Sequence, residues 1–148
     1  MIREATDFDV PTCLQLGLEF QQTSEFGELT PNINKMLGFG YHAAQADDYC
    51  FFVSENKGKI DGFLIGSVCE YVFGHDLLAE EHLMYVLPEH RNGTTGVRLM
   101  RAFEQWGTEK GAKALSFSPN AFGPDPRWHS FTKRLGYDHS GFMYRKYL

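Results

Sequence analysis

Only three cysteines, Cys13, Cys50 and Cys69, occur in the sequence, far apart and without a CxxC pair. An odd, scattered set argues against a disulfide framework and points to a reducing compartment, each thiol read as a small buried hydrophobe. Basic residues are also few: 14 Lys and Arg stand against 19 Asp and Glu, with a net charge of −5. That balance lacks the footprint of a general nucleic-acid binder and favours cationic over polyanionic partners. No apolar run approaches the length of a membrane span, and residues 1–15 carry Arg3, Glu4, Asp7 and Asp9 rather than the apolar core of a secretory leader. The expectation is a cytoplasmic protein that engages neither nucleic acid nor membrane. The six histidines show neither an HExxH motif nor clustered ligand spacing, so no metal is expected. Repeats, low-complexity tracts and linkers are absent.

What remains is an ordinary globular composition, 43% apolar and 22% charged over 148 residues, enough for a single domain spanning 1–148. "MIREAT" reads as a short strand. Thr6 with Asp9 three residues on has capping-box spacing, Pro11 falls in the first turn, and Val10, Leu14 and Leu18 recur at helical spacing to about Gln22. A second helix is predicted from Thr30 as cap and Pro31 at its first position. A hairpin follows with its turn at Asn56-Lys57-Gly58, then a strand "HLMYVL" ending at Pro88. Leu99, Met100, Phe103 and Trp106 mark one face of a helix that Gly111 ends. "AKALSFS" is a strand. Asp125 and Pro126 open a last helix, closed by Gly136, which also carries Trp128 as a core residue, and "GFMYRKYL" reads as a final strand. The order β-α-α-β-β-β-α-β-α-β implies a mixed α/β fold with helices packed on a central mixed sheet.

One junction asks for more than a fold. "VLPEHRNGTTGVRLM", Val86 to Met100, joins a strand to a helix through Arg91, Asn92, Gly93, Thr94, Thr95 and Gly96. Glycines there can take positive φ and let ligand atoms approach the backbone, while the helix offers unpaired N–H groups and a positive dipole end. Together these suit an anion, although such a loop by itself is more often a plain connection. The P-loop lysine and the dinucleotide glycine pattern are both missing.

The stretch "MYVLPEHRNGTTGVRLMRAFEQWGTEKGAKAL" resembles the central motif of the GNAT superfamily of N-acetyltransferases, with Arg91 at its basic position and Gly96 at its last glycine. Thr94 stands where the first glycine is usual, with Gly93 beside it. The element order and "KRLGY" match as well, over roughly residues 80–137. The resemblance implies acetyl-CoA as cosubstrate, with Tyr85 and Val86 pairing their backbone with the pantetheine arm and Arg91, Asn92, Gly93, Thr94, Thr95 and Gly96 around the pyrophosphate.

It also implies acetyl transfer to an amine, with a base on the strand before the loop. Glu80, Glu81 and His82 are the candidates; alternation puts Glu80 and His82 on one face and Glu81 on the other, and a bulge common in this strand would shift that parity. Each could equally be part of a solvated strand edge. The family's tyrosine acid is replaced by Thr132, leaving Ser130, His129 or water as substitutes or a thiolate that departs unassisted, and residues from Asn120 to Pro124 look inserted. Glu19, Phe20, Glu25, Phe26 and Glu28 suit a cationic amine as acceptor. The leading expectation is an acetyl-CoA-dependent N-acetyltransferase. The alternatives are a catalytically weak or inactive acyl-CoA-binding module and an interaction protein on the same fold. A homodimer stays open.

Overall fold

The computed structural model describes residues 1–118, 126–141 and 144–148. Its elements are β1 (Ile2–Glu4), α1 (Val10–Thr23), α2 (Ile33–Gln45), β2 (Tyr49–Asn56), β3 (Lys59–Glu70), β4 (Leu77–Val86), α3 (Thr95–Glu109), β5 (Ala112–Ser116) and α4 (Pro126–Arg134). The strands form one sheet in the order β1-β2-β3-β4-β5. Neighbours are antiparallel except β4 and β5, which run parallel, so the sheet is mixed as expected. Lys57 and Gly58 both take positive φ between β2 and β3, the two-residue turn that matches strand twist.

Each face of the sheet carries its own core. Val10, Cys13 and Leu16 of α1 pack with Ala43 of α2 against Phe51, Val53, Phe63, Ile65 and Tyr85. On the other face Leu99, Met100, Phe103 and Trp106 of α3 cover Phe52, Leu64, Ala79, Met84 and Val86. The helices obey the spacing read from the sequence because each has one sheet face to bury. No helix among the described residues is long and apolar enough to cross a membrane.

Four expectations need correction. Helix α2 is capped by Asn32, whose side chain accepts from the Lys35 N–H at 2.9 Å, rather than by Thr30. Strand β4 starts at Leu77, five residues before "HLMYVL", because its first half is held between β3 and β5. Cys13 and Cys50 are buried and Cys69 is exposed. The closing strand is not found among the described residues: Tyr144–Leu148 has no strand pairing and instead touches the loop after α1. Residues Asn120–Pro124, the Asp125 cap and the Trp128 side chain lie outside the described residues.

An ion cluster ties β1 to the entry of α1. Arg3 reaches Asp9 through Nη1 and Nη2, at 2.8 and 2.9 Å, and Glu55 through Nε at 2.9 Å. Asp9 also accepts from the Thr6 N–H and hydroxyl, the predicted pairing, although it closes a short 3-10 turn ahead of α1. The Arg3 hydrogen bonds hold the Asp9 carboxyl well below the usual carboxylate range. A depressed carboxyl stabilises the fold above its unfolded value and loses that contribution as pH falls through the folded one. Asp9→Asn should therefore cost about 1–3 kcal/mol near neutrality, discounted because the Arg3 side chain is about a third exposed. In thermal melts the gap to wild type should close as pH is taken from about 6 toward 2. A gap that persists at low pH would show that shape, not charge, sets the effect.

Candidate active site

Strand β4 carries the three titratable candidates across a β-bulge. Ile65 of β3 pairs with Leu83 and Gly66 pairs with Glu81, so His82 is the extra residue. A Cβ on Gly66 would stand 2.6 Å from Phe103 Cε2 and 3.0 Å from the Glu80 carbonyl oxygen, which is why glycine faces the bulge. Ala79, Met84 and Val86 pack on the α3 side, while Leu83 and Tyr85 pack on the α1–α2 side. The bulge has put strand parity out of step by one residue.

The three side chains end in different surroundings. His82 Nε2 is 2.6 Å from Ser67 Oγ, and its ring is 5.9 Å from Tyr49, so it faces the α1–α2 side. Glu80 pairs across the sheet with Ser67 and shares that side. Glu81 points to the other side, where its Oε2 accepts the Ser118 N–H at 3.2 Å. Burial pushes the Glu81 carboxyl up to about 7, against the lowering effect of that hydrogen bond. A carboxyl near 7 is part ionised at neutral pH, the condition for a general base.

Glu81 stands where two strands part. Strand β5 pairs with β4 only over Leu77–Glu80, so the outer edge of β4 from Glu81 to Val86 has no strand partner among the described residues. On the inner edge the Leu87 N–H donates to the Asp61 carbonyl at 2.9 Å. Counting back from that bond, antiparallel alternation turns the N–H and C=O of Met84 and Val86 outward and those of Tyr85 inward. The outward backbone groups are thus those of Met84 and Val86, where Tyr85 and Val86 were expected.

The loop that follows is a donor cluster. The first bond of α3 runs from the Arg98 N–H to the Thr94 carbonyl, and Thr94 makes no side-chain cap. The N–H groups of Thr94, Thr95, Gly96 and Val97 therefore lack an acceptor within the helix. Neither Gly93 nor Gly96 has positive φ, contrary to expectation. Gly96 matters through space: a Cβ there would meet nothing nearer than Met84 Cε at 4.0 Å. Arg91 turns back to the strand, donating from Nε to the Val86 carbonyl at 2.8 Å, with its guanidinium 5.3 Å from the Tyr85 ring centroid. Behind the loop a cavity of about 250 Å³ is lined by Asp61, His90, Thr94 and Arg98. Asp61 is buried there, its Oδ2 3.6 Å from His90 Nδ1.

Residues 18–137 match the model of the acetyltransferase (GNAT) family. The chain belongs to that family. Solved structures of the same fold cover all of it. The aminoglycoside acetyltransferase AAC(6')-Iy, in complex with a bisubstrate analogue, CoA-S-monomethyl-acetylneamine, is 24% identical with a TM-score of 0.75, matched over 98% of its length. An aminoglycoside acetyltransferase from an uncultured soil metagenomic sample, in complex with sisomicin, is 20% identical with a TM-score of 0.75 over 95% of its chain. A transcriptional regulator from Bacillus halodurans reaches a TM-score of 0.80 at 16% identity over 99% of its chain. At such identities the likeness is one of fold. No curated protein sequence matches the chain.

This GNAT chain is an N-acetyltransferase that uses acetyl-CoA. Its loop and strand fit that cosubstrate, since four helix-end N–H groups beside an open Gly96 would suit an anion while β4 offers outward amides. Thr132, in the tyrosine position, donates its hydroxyl to the His129 carbonyl at 3.3 Å, and His129 and Ser130 are exposed. Tyr137, which ends "KRLGY", is a site residue that the sequence does not single out. Its hydroxyl is buried without a hydrogen-bond partner among the described residues. Burial, then the nearby Glu104 and Glu81, push its phenol above the usual range, with Glu104 close but short of hydrogen-bond geometry. The available signal was a tyrosine placed directly after the helix-ending Gly136.

Proposed function

We propose that the protein acetylates a primary amine bearing further positive charge, by direct attack within a ternary complex. The observation that carries this reading is the place of Glu81, a half-buried carboxyl that accepts the Ser118 N–H where β4 leaves β5. The cosubstrate supplies a thioester. Glu81 takes a proton from the amine, whose nitrogen attacks the carbonyl carbon as the C–S bond breaks. Outward N–H groups of β4 beside it are donors for charge developing on the carbonyl oxygen. Tyr137, kept neutral by its surroundings, is the phenol able to return a proton to the departing thiolate. The pyrophosphate is assigned to the N–H groups of Thr94, Thr95 and Gly96, with Asn92 and Gly93 flanking.

The acceptor reading rests on the wall beside Tyr85. Its hydroxyl donates to Glu19 at 3.1 Å and its ring meets Phe20 edge-on at 6.3 Å, with Phe26 6.2 Å further on. Carboxylates interleaved with rings suit a cation. Similarity to two aminoglycoside acetyltransferases supports the same class.

Thiol release measured while both substrates are varied tests this. Double-reciprocal lines should intersect, and a polyamine such as spermidine should show a KM about tenfold below that of butylamine. Parallel lines would indicate an acetylated enzyme and remove direct attack. Equal KM values would remove the cationic preference.

A further inference from the structure

The segment Tyr144–Leu148, expected as a strand, places a cation on the acceptor wall. Arg145 Nη1 lies 3.0 Å from Glu25 Oε1, and the guanidinium carbon is 4.3 Å from the Phe26 ring centroid. Tyr147 adds a bond from its hydroxyl to the Glu25 carbonyl. Phe26 leads through Phe20 to Tyr85 of β4, so this cation sits at the outer end of the wall described above.

A guanidinium held between a carboxylate and a ring face is what a charged acceptor would seek there. We propose that Arg145 is an internal ligand of a cation subsite made by Glu25 and Phe26, and that an acceptor's distal guanidinium or ammonium must displace it. The inference rests on the acceptor reading above. Partial exposure of both partners, 27% for Arg145 and 44% for Glu25, makes the pair weak enough to exchange with a ligand. When the subsite is occupied internally for most of the time, apparent affinity falls by the fraction left open. A neutral amine, which has no use for the subsite, is indifferent to Arg145. The segment therefore sets a threshold that favours acceptors with a second charge placed to compete.

Agmatine, which joins a primary amine to a guanidinium, is the probe. Its binding is followed by the Phe26 ring resonances in NMR, without turnover, for wild type, Arg145→Gln and Arg145→Lys. The glutamine variant should bind about five- to tenfold tighter, and the lysine variant should lie close to wild type. Phe26→Leu, followed instead through the neighbouring Phe20 ring resonances, should weaken binding in either background. Equal affinity across the Arg145 series, weaker binding in Arg145→Gln, or no Phe26 response to agmatine would each overturn the proposal.

A kinetic arm separates it from the functional reading. In Arg145→Gln the KM for agmatine should fall by the same factor, while the KM values for acetyl-CoA and for aniline, neutral at pH 7, should hold. Tighter agmatine binding with no acetylation of any amine would sink the functional reading and leave the subsite standing. Acetylation of agmatine with a KM that ignores Arg145 would do the reverse.

Discussion

Glu81→Gln should lower kcat by about 10²-fold or more while the KM for acetyl-CoA hardly moves. Glutamine keeps the length of the side chain and a carbonyl oxygen for the Ser118 N–H, so the junction of β4 and β5 is retained. What it removes is the proton acceptor. The pH profile carries the sharper test. Burial raises Glu81 to about 7, and a base works only when ionised, so wild-type kcat/KM should climb as pH rises through that region and then level. In the variant this limb should vanish. His82→Ala is the counterpart, because His82 faces Ser67 and Tyr49 on the opposite side of the strand. Should Glu81→Gln keep the wild-type rate and limb while His82→Ala loses both, the base is the histidine, and Glu81 is only a half-buried acid at a strand junction.

Gly96→Asp should weaken acetyl-CoA binding by about 10²-fold and leave the fold at least as stable. The two expectations have opposite signs, which makes the substitution informative. Gly96 is the second residue of α3, with no neighbour inside 4.0 Å of a new Cβ. Replacing glycine in a helix by a residue with a side chain is favourable, and a carboxylate in the first turn complements the dipole by about 0.3–1 kcal/mol. The same carboxylate occupies the place assigned to the pyrophosphate and repels it. Calorimetry for acetyl-CoA and a thermal melt of the free protein read the two effects. Unchanged affinity with a raised Tm would move the phosphates away from this helix end; a collapsed Tm would point to crowding that the structure does not show.

The loop was legible because its chemistry is local: strand, small residues and helix start are consecutive, and a helix end exposes N–H groups whatever surrounds it. Helices α1 and α3 were legible for a similar reason, since their apolar spacing answers to one sheet face. The start of β4 was not. The sequence marks the strand only near Glu80 to His82, because Leu77–Ala79 gain their outer strand partner from β5, distant in the chain. The bulge at His82 depends on Gly66 and Phe103, sixteen and twenty-one residues away in opposite directions. Asn32 outcompeted Thr30 as cap through a side-chain bond that both residue types can make. Glu81 and His82 were named as candidates, but their separate environments come from Ser118 and Ser67, which only the folded chain brings near. Alternation in "GFMYRKYL" suggested a strand; the cation–ring and carboxylate contacts of Arg145 give that segment another use.

An extended edge with free N–H and C=O groups is a template for any passing strand, and proteins usually cover or blunt it. Where β4 leaves β5, such an edge opens in the interior of a sheet, flanked by a strand on one side and joined at its base to another. Arg91 has already claimed the Val86 carbonyl, so a partner chain would find the edge shortened as well as recessed. A thin chain that carries amides in an extended line suits such an edge. On the assignment made above, the pantetheine arm of acetyl-CoA meets that description. In that arrangement the cosubstrate would complete the sheet as a removable strand and cover amides that could otherwise template another chain.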